Sequence, residues 1–195
     1  MKLMLKKIRE IFTNTGPKTI IDKKLKNINL SNFSNINFKS FGELNKNKIF
    51  YIIRRIPAAG FFSNITFVLN HLQICELMNF IPIIDMKNYP TIYNEKNKIK
   101  NSNNSWDYYF QKLNKYTLED VYKSKNVFLS KTTFERHMSL DMTNKSISGQ
   151  LKKIKVKNEI KKKANVFFNK KLRKKNNRIL GIHLRGSTYK TARGH

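Results

Sequence analysis

His183 and Arg185 stand two residues apart in Arg178-Ile-Leu-Gly-Ile-His-Leu-Arg185. Strand alternation places both side chains on one face, with Ile182 and Leu184 on the other. An imidazole and a guanidinium emerging together, followed by Gly186, Ser187 and Thr188, suit a diphosphate. Arg grips two oxygens at once and His donates a further hydrogen bond. The competing reading is a solvated edge-strand pair. A second candidate is the loop Arg54-Arg-Ile-Pro-Ala-Ala-Gly-Phe-Phe-Ser-Asn64. Gly60 would allow close backbone approach or a positive φ, and the amides near Ser63 and Asn64 would open a helix that favours anions. With one glycine and no Lys-Ser/Thr pair, this is neither a dinucleotide fingerprint nor a P-loop, and a plain capped turn explains it equally well. His71 and Cys75, four apart, lack an evident third metal ligand, so core packing is the reading adopted for them. Trp106, Tyr108, Tyr109 and Phe110 read as core before they read as a stacking platform. Asp85, closing a strand, reads as a loop cap before a cleft acid.

These residues need a scaffold, and the hydrophobic pattern supplies one. Ile49–Ile53 is a compact β-branched run, the mark of a strand covered on both faces. Pro57–Gly60 punctuates the chain, Phe61–Asn79 carries Ile65, Leu69, Leu72 and Leu77 near helical spacing, and Ser63 or Asn64 can cap it. Phe80–Asp85 is a second short strand, so the segment has a βαβ rhythm. Ser105 is placed to cap a helix over 105–111. Thr117 and Asp120 have capping-box spacing before a short helix ending near Ser124, and Asn126–Ser130 is a third strand. Apolar residues at 151, 154, 160, 164, 167, 168 and 172 predict a long basic helix packed on the sheet, and 178–185 a further strand. The expected fold class is α/β with a mainly parallel, Rossmann-like sheet, in which ligands sit at the strands' carboxyl ends.

The loop Gly60-Phe-Phe-Ser-Asn64, the helix and strand that follow it, Ser105-Trp-Asp-Tyr-Tyr109 and His183-Leu-Arg185 occur in an order that resembles the GDP-fucose-dependent fucosyltransferase superfamily. That group spans protein O-fucosyltransferases and the α-1,6 and α-1,2 enzymes, and the likeness covers roughly residues 49–195. It implies a GT-B fold of two Rossmann-like halves and an inverting transfer of fucose from GDP-fucose to a glycan or protein acceptor, with no metal and no further cofactor. It also implies that Arg185 pairs with the β-phosphate, that His183 assists, and that Gly60, Ser63, Asn64 and Lys190 line the donor site. A guanidinium there would stabilise the charge that develops on the leaving GDP. Relatives commonly follow His-x-Arg with an acid, whereas Gly186-Ser-Thr-Tyr-Lys190 has none, so no carboxylate is assigned from this motif.

Organisation follows from the same likeness: an amphipathic basic helix and loose arm over 1–48, a first Rossmann-like half over 49–177, and the opening strand and loop of a second half over 178–195. Since the family's second half supplies most nucleotide contacts, the expectation is a truncated or interrupted product, inactive alone. Micromolar GDP-fucose binding would contradict that expectation. The 195 residues carry a net charge of +28, one cysteine and no run of eighteen apolar residues. This excludes an internal disulfide framework, a zinc site built on cysteine pairs and a readable membrane span. Of that charge, residues 151–178 hold 13 basic and 1 acidic side chains, against 13 and 8 over 49–150. With 32 Lys, 8 Arg, 25 Asn and 22 Ile, AT-rich codon usage accounts for much of the basicity, and a phosphate-reading surface would favour Arg. The rival function is nonetheless a nucleic-acid- or acidic-surface-binding protein using 151–178. A cytoplasmic location is expected, with peripheral contact to the inner membrane surface through residues 1–12.

Overall fold

The computed structural model describes residues 37–57, 59–132 and 149–172. The predicted helix at 1–12, most of the arm, the strand at 178–185 and the 177/178 boundary lie outside them. The chain divides into two compact units at Lys157/Asn158. The fold is mixed α/β, and its four-stranded, mostly parallel sheet belongs to the first unit.

The strands are β1 (Asn37–Lys39), β2 (Phe50–Ile53), β3 (Ile81–Ile84) and β4 (Val127–Leu129), in spatial order β1-β4-β2-β3. Parallel pairing sets Phe50 beside Ile81 and beside Val127, while β1 runs antiparallel to β4. All four β2 side chains are fully buried, as a central strand covered on both faces requires. Alternation sorts them: Tyr51 and Ile53 enter the core beneath helix α1 (Phe61–Met78), whereas Phe50 and Ile52 join Val121, Val127 and Leu129 on the opposite face. That second face is closed by the one-turn helix α3 (Leu118–Val121), which follows another short helix, α2 (Trp106–Tyr109).

Helix α1 ends at Asn79, whose left-handed φ of 55° turns the chain into β3, a conformation asparagine tolerates better than most residues. The reciprocal Thr117–Asp120 capping box opens α3 as expected. Three local expectations are corrected. The N-cap of α1 is Gly60, at φ −65°, with no side-chain cap, so neither Ser63 nor Asn64 caps it and no positive φ is needed. The end of the loosely structured arm supplies β1, an edge strand that pairs 90 residues downstream. The helix expected from Leu151 begins only at Asn158. Leu151 ends a separate helical stretch, and after a turn the residues just ahead of Asn158 run against Phe110, with Gln111 N–H donating to the Lys155 carbonyl at 2.8 Å and Lys157 N–H to the Tyr109 carbonyl at 2.9 Å. Ile154 and Val156 thereby pack on the core without helical geometry.

The second unit holds α4 (Asn158–Phe167), ending in a π turn over Phe168–Leu172. No residue of α4 is buried. No helix among the described residues is long and apolar enough to cross a membrane.

Candidate functional site

The carboxyl ends of β2 and β4 lie side by side, and two consecutive arginines leave β2 there. Arg54 is turned onto β4. Its Nε donates to the Ser130 carbonyl at 2.8 Å, its Nη2 reaches the same oxygen, and its backbone N–H donates to Ser130 Oγ at 2.9 Å. The guanidinium carbon lies 4.9 Å from the Tyr89 ring centre. Arg54 is therefore a fastener between two strand ends.

Arg55 takes the other direction. Only 6% exposed, it donates from Nη2 to Ser63 Oγ at 3.0 Å, from Nε to Asn64 Oδ1 at 3.3 Å and from Nη1 to the Thr132 carbonyl at 3.4 Å. The Phe67 ring centre lies 4.4 Å from its guanidinium carbon. Burial lowers its pKa, yet a guanidinium keeps its proton at any physiological pH. No carboxylate among the described residues pairs with it. A buried charge supported only by neutral dipoles is costly, and of five N–H donors two remain without an acceptor among the described residues.

Ser63 and Asn64 are thus brought together around Arg55, a residue the sequence reading passed over, while Gly60 caps the helix that carries them. The signal was present: two consecutive arginines ending a four-residue apolar strand. Ser63 and Asn64 occupy the first turn of α1, but their side chains are spent on Arg55. Asn64, 4% exposed, also donates from Nδ2 to the Ala59 carbonyl at 3.4 Å. At the tip of α1, the Phe61 N–H donates to the Tyr93 hydroxyl at 2.7 Å, and Asn64 N–H to the Gly60 carbonyl. The Phe62 and Ser63 amides find no partner among the described residues. A Cβ on Gly60 would meet nothing within 4 Å. His183, Arg185 and Lys190 lie outside the described residues.

The remaining candidates resolve as structure. Asp85 is fully buried and accepts from Tyr122 Oη at 2.6 Å, Asn88 Nδ2 at 2.9 Å and the backbone N–H groups of Lys87 and Asn88. It caps its loop, and the bond to Asp85 together with burial raises the Tyr122 pKa. His71 is buried with Nδ1 2.8 Å from Tyr51 Oη. Burial, seconded by the Arg55 charge, pushes its pKa down to about 3. Cys75 is buried in the α1 core, which raises its thiol pKa. Trp106, Tyr108 and Phe110 are buried. Among the described residues no three potential ligands converge as a metal site.

Next to Asn64 the described residues enclose a void of only about 10 Å³. A cleft of about 340 Å³ lies instead along the outer edge of β3, lined among others by Pro82, Ile84, Lys98, Trp106, Asp107 and Lys112. The first unit thus offers a strand end with a buried arginine and a separate edge cleft on one α/β sheet. No protein-family model, curated protein or solved structure matches the chain.

Proposed function

We propose that this chain carries the first half of a GT-B glycosyltransferase that takes a nucleotide-diphosphate sugar, and that this half contributes part of the donor site. By motif resemblance the donor is GDP-fucose and the acceptor a glycan or protein. One observation carries the reading: a buried guanidinium with no counter-charge among the described residues, Arg55, at the carboxyl ends of two parallel strands and against the first turn of α1. A phosphate oxygen would supply a counter-charge, and the Phe62 and Ser63 amides, unpartnered among the described residues, add donors of the kind that helix N-termini offer anions. Gly60 fits the same picture, because a side chain there would meet nothing within 4 Å among the described residues. In this reading His183 and Arg185 belong to the leaving-group chemistry. Inversion places the acceptor's attack opposite the departing diphosphate, so donor charge stabilised by preorganised N–H groups is where catalysis gains most.

The test is ligand-detected NMR on the whole chain with GDP-fucose, GDP and GMP. Weak binding, with Kd on the order of 1 mM, is expected for GDP-fucose and GDP and not for GMP. Gly60→Ala should weaken GDP binding about tenfold while leaving thermal stability level or slightly higher, since alanine is allowed at this φ and reduces unfolded-state freedom. Equal binding of GMP and GDP, or GDP binding indifferent to Gly60→Ala, refutes the proposal.

The exposed helix α4 favours a second reading, the nucleic-acid or acidic-surface binder. Lys161, Lys162, Lys163 and Lys170 stand on a helix that buries none of its residues.

A further inference from the structure

The edge of β3 is closed to a further strand. Register turns the backbone groups of Ile81 and Ile83 toward β2, so those of Pro82, Ile84 and Met86 face outward. Pro82 has no N–H, and its carbonyl accepts from Asn114 Nδ2 at 2.6 Å. The Ile84 carbonyl accepts from Asn104 Nδ2 at 2.8 Å, and Met86 N–H donates to Asn104 Oδ1 at 3.1 Å. Asparagine amides therefore occupy the positions that an added strand would use, which removes the edge as a pairing template. The Ile84 N–H is the outward donor left without a partner among the described residues.

This edge floors the cleft of about 340 Å³, a volume at the small-ligand end of binding pockets. Its exposed rim carries Lys87, Lys98 and Lys112, none of them ion-paired among the described residues, against Asp107 and Glu119. Asp107 is half-buried and accepts from Ser102 Oγ at 3.0 Å. Trp106, another lining residue and only 4% exposed, buries an indole N–H with no acceptor among the described residues. Lys100 and Asn101 bound the cleft in a tight turn, both at positive φ (51° and 64°) and closed by mutual Ile99–Ser102 backbone bonds of 3.0 Å. Two consecutive non-glycine residues in this conformation are unfavourable, and the turn brings Asn101 and Ser102 to the cleft wall.

We infer that this cleft is a second binding site, for a mono- or disaccharide bearing a negative group such as a carboxylate or phosphate. The exposed Asn101 and Asn103 amides suit hydroxyl groups, the lysine rim suits the anion, and the sealed edge excludes an extended peptide. The inference rests on the cleft alone and does not need the donor reading.

Ligand-detected NMR on the whole chain with glucuronic acid, glucose 6-phosphate, glucose and inorganic phosphate tests it. The two anionic sugars should bind, with glucose and phosphate each at least about tenfold weaker. Lys98→Ala/Lys112→Ala, which alters only exposed side chains, should remove the preference for the anionic sugars, and Gly60→Ala should leave it intact. Binding of phosphate as strong as that of the sugar phosphate would overturn the inference. So would an unchanged preference in the lysine variant, or displacement of the sugars by GDP, which would place them at the strand-end site instead.

Discussion

At the scale of single residues, neighbours in sequence have opposite fates because the strand end separates them. Arg54 spends its guanidinium on a carbonyl of β4, whereas Arg55 is buried against α1 with donors to spare. Sequence showed two arginines and could not show that division, which depends on where Ser130 and Asn64 come to lie in space. His71 was legible as core from its place on an apolar helix, and its burial has a pH consequence. The folded pKa is about 3 against roughly 6.5 in an unfolded chain. Below pH 6.5 the unfolded state binds a proton that the native state refuses, so stability falls as pH falls through this window. The loss is about 1.4 kcal/mol per pH unit and about 5 kcal/mol in all. His71→Gln keeps a partner for Tyr51 and cannot titrate. Denaturant melts of the two proteins at pH 7, 5 and 4 should therefore show the wild type losing more stability than the variant at each step. Parallel pH profiles would mean that His71 titrates normally.

At the scale of elements, what could be read was whatever sequence-local physics decides. Phe50–Ile53, Ile81–Ile84 and Val127–Leu129 are short runs dominated by β-branched and aromatic residues that end in polar ones, and the Thr117–Asp120 spacing specifies its own cap. Elements decided by distant partners were not legible. β1 is three residues long and exists because β4 offers it an edge. Leu151 and Ile154 mimic one continuous helical stripe, but a turn follows Leu151 and the Phe110–Val156 bridge holds the next residues out of helix. Local capping should accordingly behave as a local energy: Thr117→Ala should cost about 1 kcal/mol. Gly42 is the contrasting case. A Cβ there would stand 2.5 Å from the Lys123 carbonyl oxygen, where the Phe41 and Gly42 amides meet Ser124. Gly42→Ala should cost about 2 kcal/mol or more, because backbone must move. Chemical denaturation should rank Gly42→Ala below Thr117→Ala, and the reverse order would show that the 40–44 segment yields freely.

At the scale of the whole molecule, the charge of +28 belongs unevenly to the chain, and that unevenness makes the two functional readings separable. The first unit buries an arginine at a strand end; α4 displays its lysines in water. Binding at Arg55 would be short-range, charge-assisted and little screened, whereas polyanion binding through α4 would release counterions and fall steeply with salt. Replacing Lys161, Lys162 and Lys163 by glutamine removes three exposed positive charges without touching a buried group. A short DNA duplex titrated against the wild type between about 50 and 200 mM salt gives the number of phosphates neutralised from the log–log slope, at about −0.9 per contact. The triple variant should flatten that slope by up to about 3 and leave GDP binding unchanged. Loss of GDP binding together with DNA binding would tie both to one surface. In that case the basic helix, and not the strand end, would be the seat of function.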